Sequence, residues 1–444
     1  MTTFADLGVR PRTLETLTRH GIAAPLAVQE QAIPHLLACR DVVIAAPTGS
    51  GKTLAFLVPL VERLAGHRPG GARALIVVPT RELANQIVSV LASVDRALRV
   101  AVLFGGVGYG PQHTALRNSP DVVVGCPGRI LDLADRGVAR FDRVEYLVLD
   151  EADEMLDQGF ARDVERIIAM TPQAPGARQT VLASATMPDW VQRMIDRHLV
   201  DPAQIRVRSD EEPLLEQGVV RVRREARVTT LSAVLRRHAG SAIVFHRTKH
   251  GAKKLARDLT RLGHATGELQ GNLSQNARDR AIGDFRRRRT DVLVATNVAA
   301  RGLDIAHVEL VVNYELPESP QWLTHRVGRT ARNGAAGRAL TFLSEDDMEQ
   351  WRKLRRLGAP ALRVIDDAHL LATGEVRFLE VAPPGDPAAR QTTTRPAERG
   401  PATTRAAHRS GPSAWRRQDH PAGGPVGRPR PQRHRRGRPQ APAA

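Results

Sequence analysis

The chain has 444 residues, enough for two or more separately cored domains. Its 42% hydrophobic content suits a globular protein, and with only 4% aromatic residues the cores must rest on Val, Leu, Ile and Ala. The net charge of +18 points to a polyanionic partner, and two cysteines, Cys39 and Cys126, cannot build a disulfide framework or a metal cluster between them. Only five of the 65 Lys and Arg residues are lysine, a bias that gene base composition alone can produce. The first residues, MTTFADLGVRPRT, contain no basic-then-apolar leader, and no apolar run approaches membrane-spanning length. A reducing cytoplasm and no membrane association are expected.

In chain order, the first informative stretch is DVVIAAPTGSGKTLAFLVPL, residues 41–60, which reads as strand, Gly-rich turn and helix. Phosphate binding needs that context. Gly49 and Gly51 let the backbone approach closely, so that amide groups of the loop Thr48-Gly49-Ser50-Gly51 can surround a phosphate. Lys52 adds a point charge, and Thr53 at the helix N-terminus can ligate Mg²⁺. The general pattern starts with Gly; here that place holds Ala46.

Further short apolar runs follow: ALIVVPT, VAVLFGG, DVVVGCP, YLVLDEAD and TVLASAT, with helical patterns such as RELANQIVSVLASV between them. The alternation predicts a parallel sheet covered by helices on both faces. Residues 146–156, YLVLDEADEML, end an apolar strand in Asp150, Glu151 and Asp153. Like charges so close repel, and a cation is needed to hold them. Beside a phosphate-binding loop, Asp150 is placed to face Mg²⁺ through water and Glu151 to orient or deprotonate an attacking water. The alternative is a helix N-cap, which explains one acid and not three.

Residues 206–217 are polar and acidic and read as a linker after a first domain of residues 1–205. A second alternating series (SAIVFHRT, ATGELQG, DVLVATN, LVVNYEL, RALTFLS) predicts a second α/β domain over 218–365. Residues 366–444 are expected to form a disordered tail, dominated from Glu375 onward by Pro, Arg, Ala, Gly and Thr, because such a composition buries too little apolar surface to offset ordering entropy. Roughly half of the net positive charge lies from Glu375 onward, which suits a flexible nucleic-acid tether or a solubilising extension.

With the loop and the acids in place, residues 4–345 resemble the DEAD-box ATP-dependent RNA helicases of helicase superfamily 2. The blocks APTGSGKT, PTRELA, the pair Gly105-Gly106, Asp150-Glu151-Ala152-Asp153, LASATM, IVFHRTK, LQGNLSQNAR, VATNVAARGLDI and HRVGRTAR occur in order. The resemblance implies two tandem RecA-like domains with ATP and Mg²⁺ between them. It implies that Phe4 stacks on adenine, that Gln29 reads its edge, and that Asp304 contacts the ribose. It assigns Arg329 and Arg332 as fingers that neutralise transition-state charge on the γ-phosphate, so that hydrolysis requires domain closure. Ser184 and Thr186 are implied to couple Asp153 to His325. Thr80, Arg81, Gly106, Arg129, Gly271, Arg278 and Thr296 are implied to grip an RNA backbone, a contact that carries no sequence information. Four positions depart from the family pattern: Cys126 for Thr, Asn297 for Asp, Gln270 for His and Ala331 for Gly. Since none removes a phosphate, metal or finger residue, activity should survive with altered RNA coupling.

The expected function is local, ATP-driven separation of short RNA duplexes or remodelling of RNA–protein complexes. The runner-up is an ATP-gated RNA clamp or annealing chaperone, favoured by the Arg-rich tail. A duplex-DNA translocase fits the motif wording less well. Ribosome-assembly and RNA-decay proteins are the partner classes left open.

Overall fold

The first seven strands are β1 (Val42–Ala45), β2 (Ala74–Val77), β3 (Val100–Leu103), β4 (Val122–Gly125), β5 (Tyr146–Leu149), β6 (Gln179–Ser184) and β7 (Ala203–Arg206). They form one sheet in the order β3-β4-β2-β5-β6-β1-β7, with every pairing parallel. The remaining seven, β8 (Leu215–Arg221), β9 (Ser241–His246), β10 (Thr266–Leu269), β11 (Val292–Thr296), β12 (Val308–Asn313), β13 (Gly337–Leu343) and β14 (Arg363–Val364), form a second parallel sheet in the order β10-β11-β9-β12-β13-β8-β14. Adding seven to each strand number of the first order yields the second. The domains therefore repeat one topology, the RecA-like arrangement expected.

The structure is a computed structural model describing residues 2–47, 49–66, 70–207, 215–297, 299–300, 308–331 and 335–379. Thr48, Asp304, Arg332 and residues 380–444 of the expected tail lie outside the described residues.

Unbroken apolar strands follow from having both faces covered. Val42, Ile44, Ala74 and Ile76 enter one hydrophobic cluster of the first domain, while their neighbours Val43, Leu75 and Val77 enter the other. The second sheet divides in the same way: Ala242 and Val244 lie on one side, Ile243 and Phe245 on the other. In such sheets the carboxyl ends of the strands face the ligand crevice, and the Gly-rich turn after β1 and the acids after β5 both follow such an end. Among the described residues no helix is long and apolar enough to cross a membrane.

Two expected boundaries shift. β8 begins at Leu215, inside the linker expected to run to 217, and pairs from its first residue with Gly337 of β13. At the far end, the expectation that order stops at 365 is incorrect. β14 pairs with β8, the helix Asp367–Thr373 packs against the helix Arg227–Arg237, and Ile365 bridges Phe378. Leu370 is only 1% exposed and joins the core of the second domain, with Val376 and Phe378 packed on it. Half of residues 366–379 are apolar, and the large ones apart from Leu379 face that core. Leu370→Ala is expected to cost about 2–5 kcal/mol in denaturant unfolding. A cost within about 0.5 kcal/mol, the range of a surface change, would return residues 366–379 to the tail.

Candidate active site at the domain interface

β1 delivers the chain to Ala46, whose N–H donates to Ser184 O at 3.2 Å. Gly49 and Gly51 then take left-handed backbone angles, φ +83° and +92°. Gly51 caps the helix Lys52–Leu64, and a Cβ there would lie 2.6 Å from Gln29 Nε2 and 2.7 Å from Leu26 Cδ1, so only glycine fits. The ammonium of Lys52 is drawn back over the strand end, donating to Ala46 O at 2.7 Å and Pro47 O at 2.9 Å. Ser50 Oγ is buried without a hydrogen-bond partner, and Thr53 stands half-buried in the helix's first turn. The turn thus presents a helix N-terminus, a lysine and an unspent hydroxyl, a donor set suited to phosphate.

Opposite it, β5 ends at Asp150. Asp150 Oδ1 accepts from Glu151 N at 2.9 Å, and Glu151 sits at φ +50°, ψ +51°, a left-handed conformation that costs a non-glycine residue about 1–3 kcal/mol. No side chain caps the following helix Ala152–Asp157, which removes the capping alternative for these acids. Burial, then the neighbouring Glu151, pushes the Asp150 carboxyl up to about 7, although Lys52 pulls it back. For Glu151 the balance is reversed. Burial raises it, but the Glu154 hydrogen bond, the charges of Arg329 and Lys52 and, when protonated, His325 outweigh burial and hold it below the usual carboxylate range. Glu151 Oε2 is buried without a hydrogen-bond partner. Of the cations stabilising it near neutral pH, Arg329 belongs to the second domain.

Asp153 is tied to the end of β6. Its Oδ2 accepts from Thr186 N at 2.8 Å and Thr186 Oγ1 at 2.6 Å, its N–H donates to Ser184 Oγ at 3.3 Å, and Ser184 Oγ donates to Thr186 O at 2.7 Å. His325 Nε2 reaches to 3.9 Å from the same Asp153 oxygen. Burial lowers the imidazole's pKa, with Asp153 opposing and Arg329 assisting, so His325 is neutral near pH 7. The four residues expected to couple the domains are brought together.

Helix Pro320–Val327, capped by Ser319, carries His325 and Arg326 to this interface, and Arg329 follows, buried. Arg326 is not part of a solvated patch: it is 1% exposed. Nε donates to Asn297 Oδ1 at 2.6 Å, and Nη1 donates to Asn313 Oδ1 at 3.2 Å and Glu315 O at 2.7 Å, so the guanidinium knits together the carboxyl ends of β11 and β12. Nη2 is buried without a partner, and burial lowers the guanidinium to about 9. Asn297, where the family pattern has Asp, leaves that cation with amide oxygens instead of a carboxylate. Ala331, in place of Gly, sits at φ +53°.

Residues expected at the base are more committed than the sequence suggested. Gln29 is buried; its Nε2 donates to Gly51 O at 3.1 Å and its Oε1 accepts from Leu26 N at 2.9 Å. One N–H and one lone pair of the amide are left by these two bonds. Phe4 is 3% exposed within the first domain's core, so in this arrangement its ring presents no face for adenine to stack on. The core needs the ring because aromatic residues are scarce in this chain.

Of the expected backbone-gripping residues, Arg81 and Arg278 bond across the domain interface. Thr80 caps the helix Arg81–Val94, its Oγ1 accepting from Leu83 N at 3.2 Å. Arg81 lies over Gly106 (φ +76°), where a Cβ would come within 2.2 Å of Nη1. Arg81 Nη1 also donates across the interface to Gln275 Oε1 at 3.1 Å, and Arg278 is paired with Glu82 at 2.5 Å with both side chains largely buried. Glu82 and Gln275 were missed in the sequence; the available signal was that each lies beside or one helical turn from an expected contact. Thr296 is buried at the end of β11, and Gly271 has Lys249 Cε 3.0 Å from its Cβ position. Arg129 crosses to the glycine loop, donating to Val107 O at 3.4 Å. Cys126 caps the helix Pro127–Asp135 without a side-chain hydrogen bond, and burial, then Glu82, pushes its thiol up to about 12. Gln270 spends its amide locally, accepting from Asn272 N at 2.7 Å and donating to Glu268 at 3.1 Å.

Among the described residues no three His, Cys, Asp or Glu side chains form a metal cage. Mg²⁺ in a phosphate site needs none, because it takes one or two protein oxygens beside waters and phosphate. The buried, cation-poor Asp150 and the partnerless Glu151 oxygen fit such an ion beside Thr53.

Comparison with known proteins gives a consistent picture. The family model "DEAD/DEAH box helicase" matches residues 26–194 and "Helicase conserved C-terminal domain" residues 226–334. The ATP-dependent RNA helicase CshA of Listeria monocytogenes is 40% identical over 353 residues, spanning 78% of this chain and 67% of that protein. The DEAD-box ATP-dependent RNA helicase CshA of Geobacillus kaustophilus is 39% identical over 375 residues, spanning 82% and 79%. Among solved structures, S. cerevisiae Dbp5 bound to RNA and ADP BeF3 superposes with a TM-score of 0.73 at 29% identity, covering 83% of this chain and 97% of that one. Mss116p bound to ssRNA and AMP-PNP gives 0.72 at 27% identity, covering 82% and 79%.

Two predictions follow from the geometry. Because Asp150 is raised from 3.8 to about 7, its contribution favours the fold below pH 4 and turns into a penalty as pH rises through 7, up to about 4 kcal/mol. Asp150→Asn should therefore raise the Tm of nucleotide-free protein more at pH 8 than at pH 5; an equal shift at both would refute the burial of a titrating carboxyl. Ala331→Gly should stabilise the protein by about 0.5–1 kcal/mol by relieving the left-handed alanine, and a loss of stability would contradict that backbone conformation.

Proposed function

Because this chain belongs to the DEAD-box ATP-dependent RNA helicases, we propose that it couples hydrolysis at the interdomain site just described to local separation of short RNA duplexes or remodelling of RNA–protein complexes. One observation carries the assignment of roles: Arg329 of the second domain is among the charges that hold the Glu151 carboxyl of the first below the usual range. Closure therefore sets an ionised Glu151 beside a cation of the other domain.

In this reading, loop amides, Ser50 and Lys52 bind the nucleotide phosphates, with Thr48, Gly49 and Gly51 shaping the cradle. Thr53 and, through water, Asp150 would hold Mg²⁺, which would supply charge neutralisation at the phosphates. Gln29 meets the base with its remaining amide valences, and Asp304 the ribose. Glu151 orients a water and takes its proton as the water oxygen attacks the γ-phosphorus. The bond from that phosphorus to the β–γ bridging oxygen breaks, leaving ADP and phosphate, and Arg329 and Arg332 stabilise the charge that spreads over the transferring group. Thr80, Arg81, Gly106, Arg129, Gly271, Arg278 and Thr296 hold the RNA backbone. Asp153, Ser184, Thr186 and His325 transmit its presence to Glu151. A cytoplasmic setting and partner proteins from ribosome assembly or RNA decay complete the proposal, supported by family membership alone.

ATP turnover should rise several-fold with RNA and less with DNA of equal length. Glu151→Gln should lower kcat by at least about 10²-fold with ATP affinity retained. Turnover indifferent to RNA, or surviving the substitution, would defeat the reading.

A further inference from the structure

A side-chain cluster beside the glycine loop is absorbed by none of the roles above. Tyr109 opens the helix Tyr109–Arg117, directly after the loop Gly105 to Gly108, and is 38% exposed. Its hydroxyl donates to Asp132 Oδ2 at 2.7 Å. Arg129, one turn before Asp132, places its guanidinium carbon 4.4 Å from the Tyr109 ring centroid and Nε 3.5 Å from Asp132. Arg136, one turn after, lies 4.7 Å from the same centroid, donates from Nε to Asp132 Oδ1 at 2.7 Å and from Nη2 to the Tyr109 oxygen at 3.3 Å. Positions 129, 132 and 136 share one helix face, and the tyrosine is laid across it between two guanidinium groups. Arg129 meanwhile reaches Val107 O in the glycine loop.

A solitary surface tyrosine needs no explanation. This one contacts two arginines through its ring, and one of them, Arg129, joins two segments expected to hold RNA. An unrestrained arginine gives up rotamer entropy when it grips a phosphate, while a guanidinium already oriented gives up less. We infer that Tyr109, with Asp132, is a positioning residue: it sets the Arg129 guanidinium and the glycine loop in the geometry that receives an RNA phosphate. The inference rests on the proposed RNA contact of Arg129.

The test is RNA-stimulated ATPase of the full chain, measured against RNA concentration at several salt concentrations, with thermal melting of each variant. Tyr109→Ala should raise the half-saturating RNA concentration about 3–10-fold, as expected for losing one cation–π and hydrogen-bonded support, with the change falling on that concentration rather than on kcat. Tyr109→Phe keeps the ring and should recover most of the affinity. Arg129→Ala should weaken RNA at least as much and flatten the salt slope by about 0.7, the value for one single-strand phosphate contact. The double variant Tyr109→Ala with Arg129→Ala should be no weaker than Arg129→Ala alone. If Arg129→Ala weakens RNA and Tyr109→Ala does not, or if the two effects add, the inference is overturned while the RNA contact stands. If Arg129→Ala changes neither affinity nor slope, the contact itself fails and the positioning role with it. A lowered Tm and kcat at unchanged half-saturating RNA would show a structural role only.

Discussion

Acids buried at a strand end can be held in two ways: by giving up charge through protonation, or by finding cations. Asp150 and Glu151 divide between these outcomes. Asp150, facing its own domain and Lys52, is pushed toward neutrality. Glu151, half-buried, is held below the usual carboxylate range by the Glu154 hydrogen bond and by the charges of Arg329 and Lys52. Asp150 has Lys52 to pull it back, while Glu151 also has Arg329 from the second domain. The electrostatics of the acid pair thus draw on both domains.

The repeated strand order sharpens the point. Both sheets have the same topology, but in the described residues the phosphate-binding turn follows β1 only; after β8, its counterpart, the chain runs through Val222 and Arg223 into a short 3-10 turn. The second copy contributes basic side chains from the helix after β12 instead. Two like scaffolds thereby carry different side chains to the interface, a Gly-rich turn and lysine from one and His325, Arg326 and Arg329 from the other.

The interface also engages the arginines proposed to hold RNA. Arg81 reaches Gln275 and Arg278 pairs with Glu82, each across the domain boundary. A desolvated arginine with a fixed carboxylate is already oriented for a phosphate. Two of the arginines proposed to grip RNA are therefore also ones that bridge the two domains. Arg326 shows what such burial demands: with Asn297 in place of a carboxylate, it is satisfied by amide and backbone oxygens, and one of its nitrogens has none.

Much of this was legible in the chain. Continuous apolar strands, the Gly-Ser-Gly-Lys-Thr turn and the three acids after β5 are local patterns, and local sterics and periodicity decide them: a loop needing left-handed backbone calls for glycine, and a two-sided sheet calls for unbroken Val, Leu and Ile. What residues 366–379 do was not legible, because their apolar side chains acquire meaning only when Leu370 and Phe378 meet the second domain's core. Phe4 and Gln29 were read by spacing alone; the fold placed one ring in the core and half-spent the other's amide on Gly51. The Glu82–Arg278 pair, nearly two hundred residues apart in the chain, and the opposite charge states of Asp150 and Glu151 belong to tertiary structure alone. Burial and through-space charge depend on which groups become neighbours, and a one-dimensional pattern does not specify that.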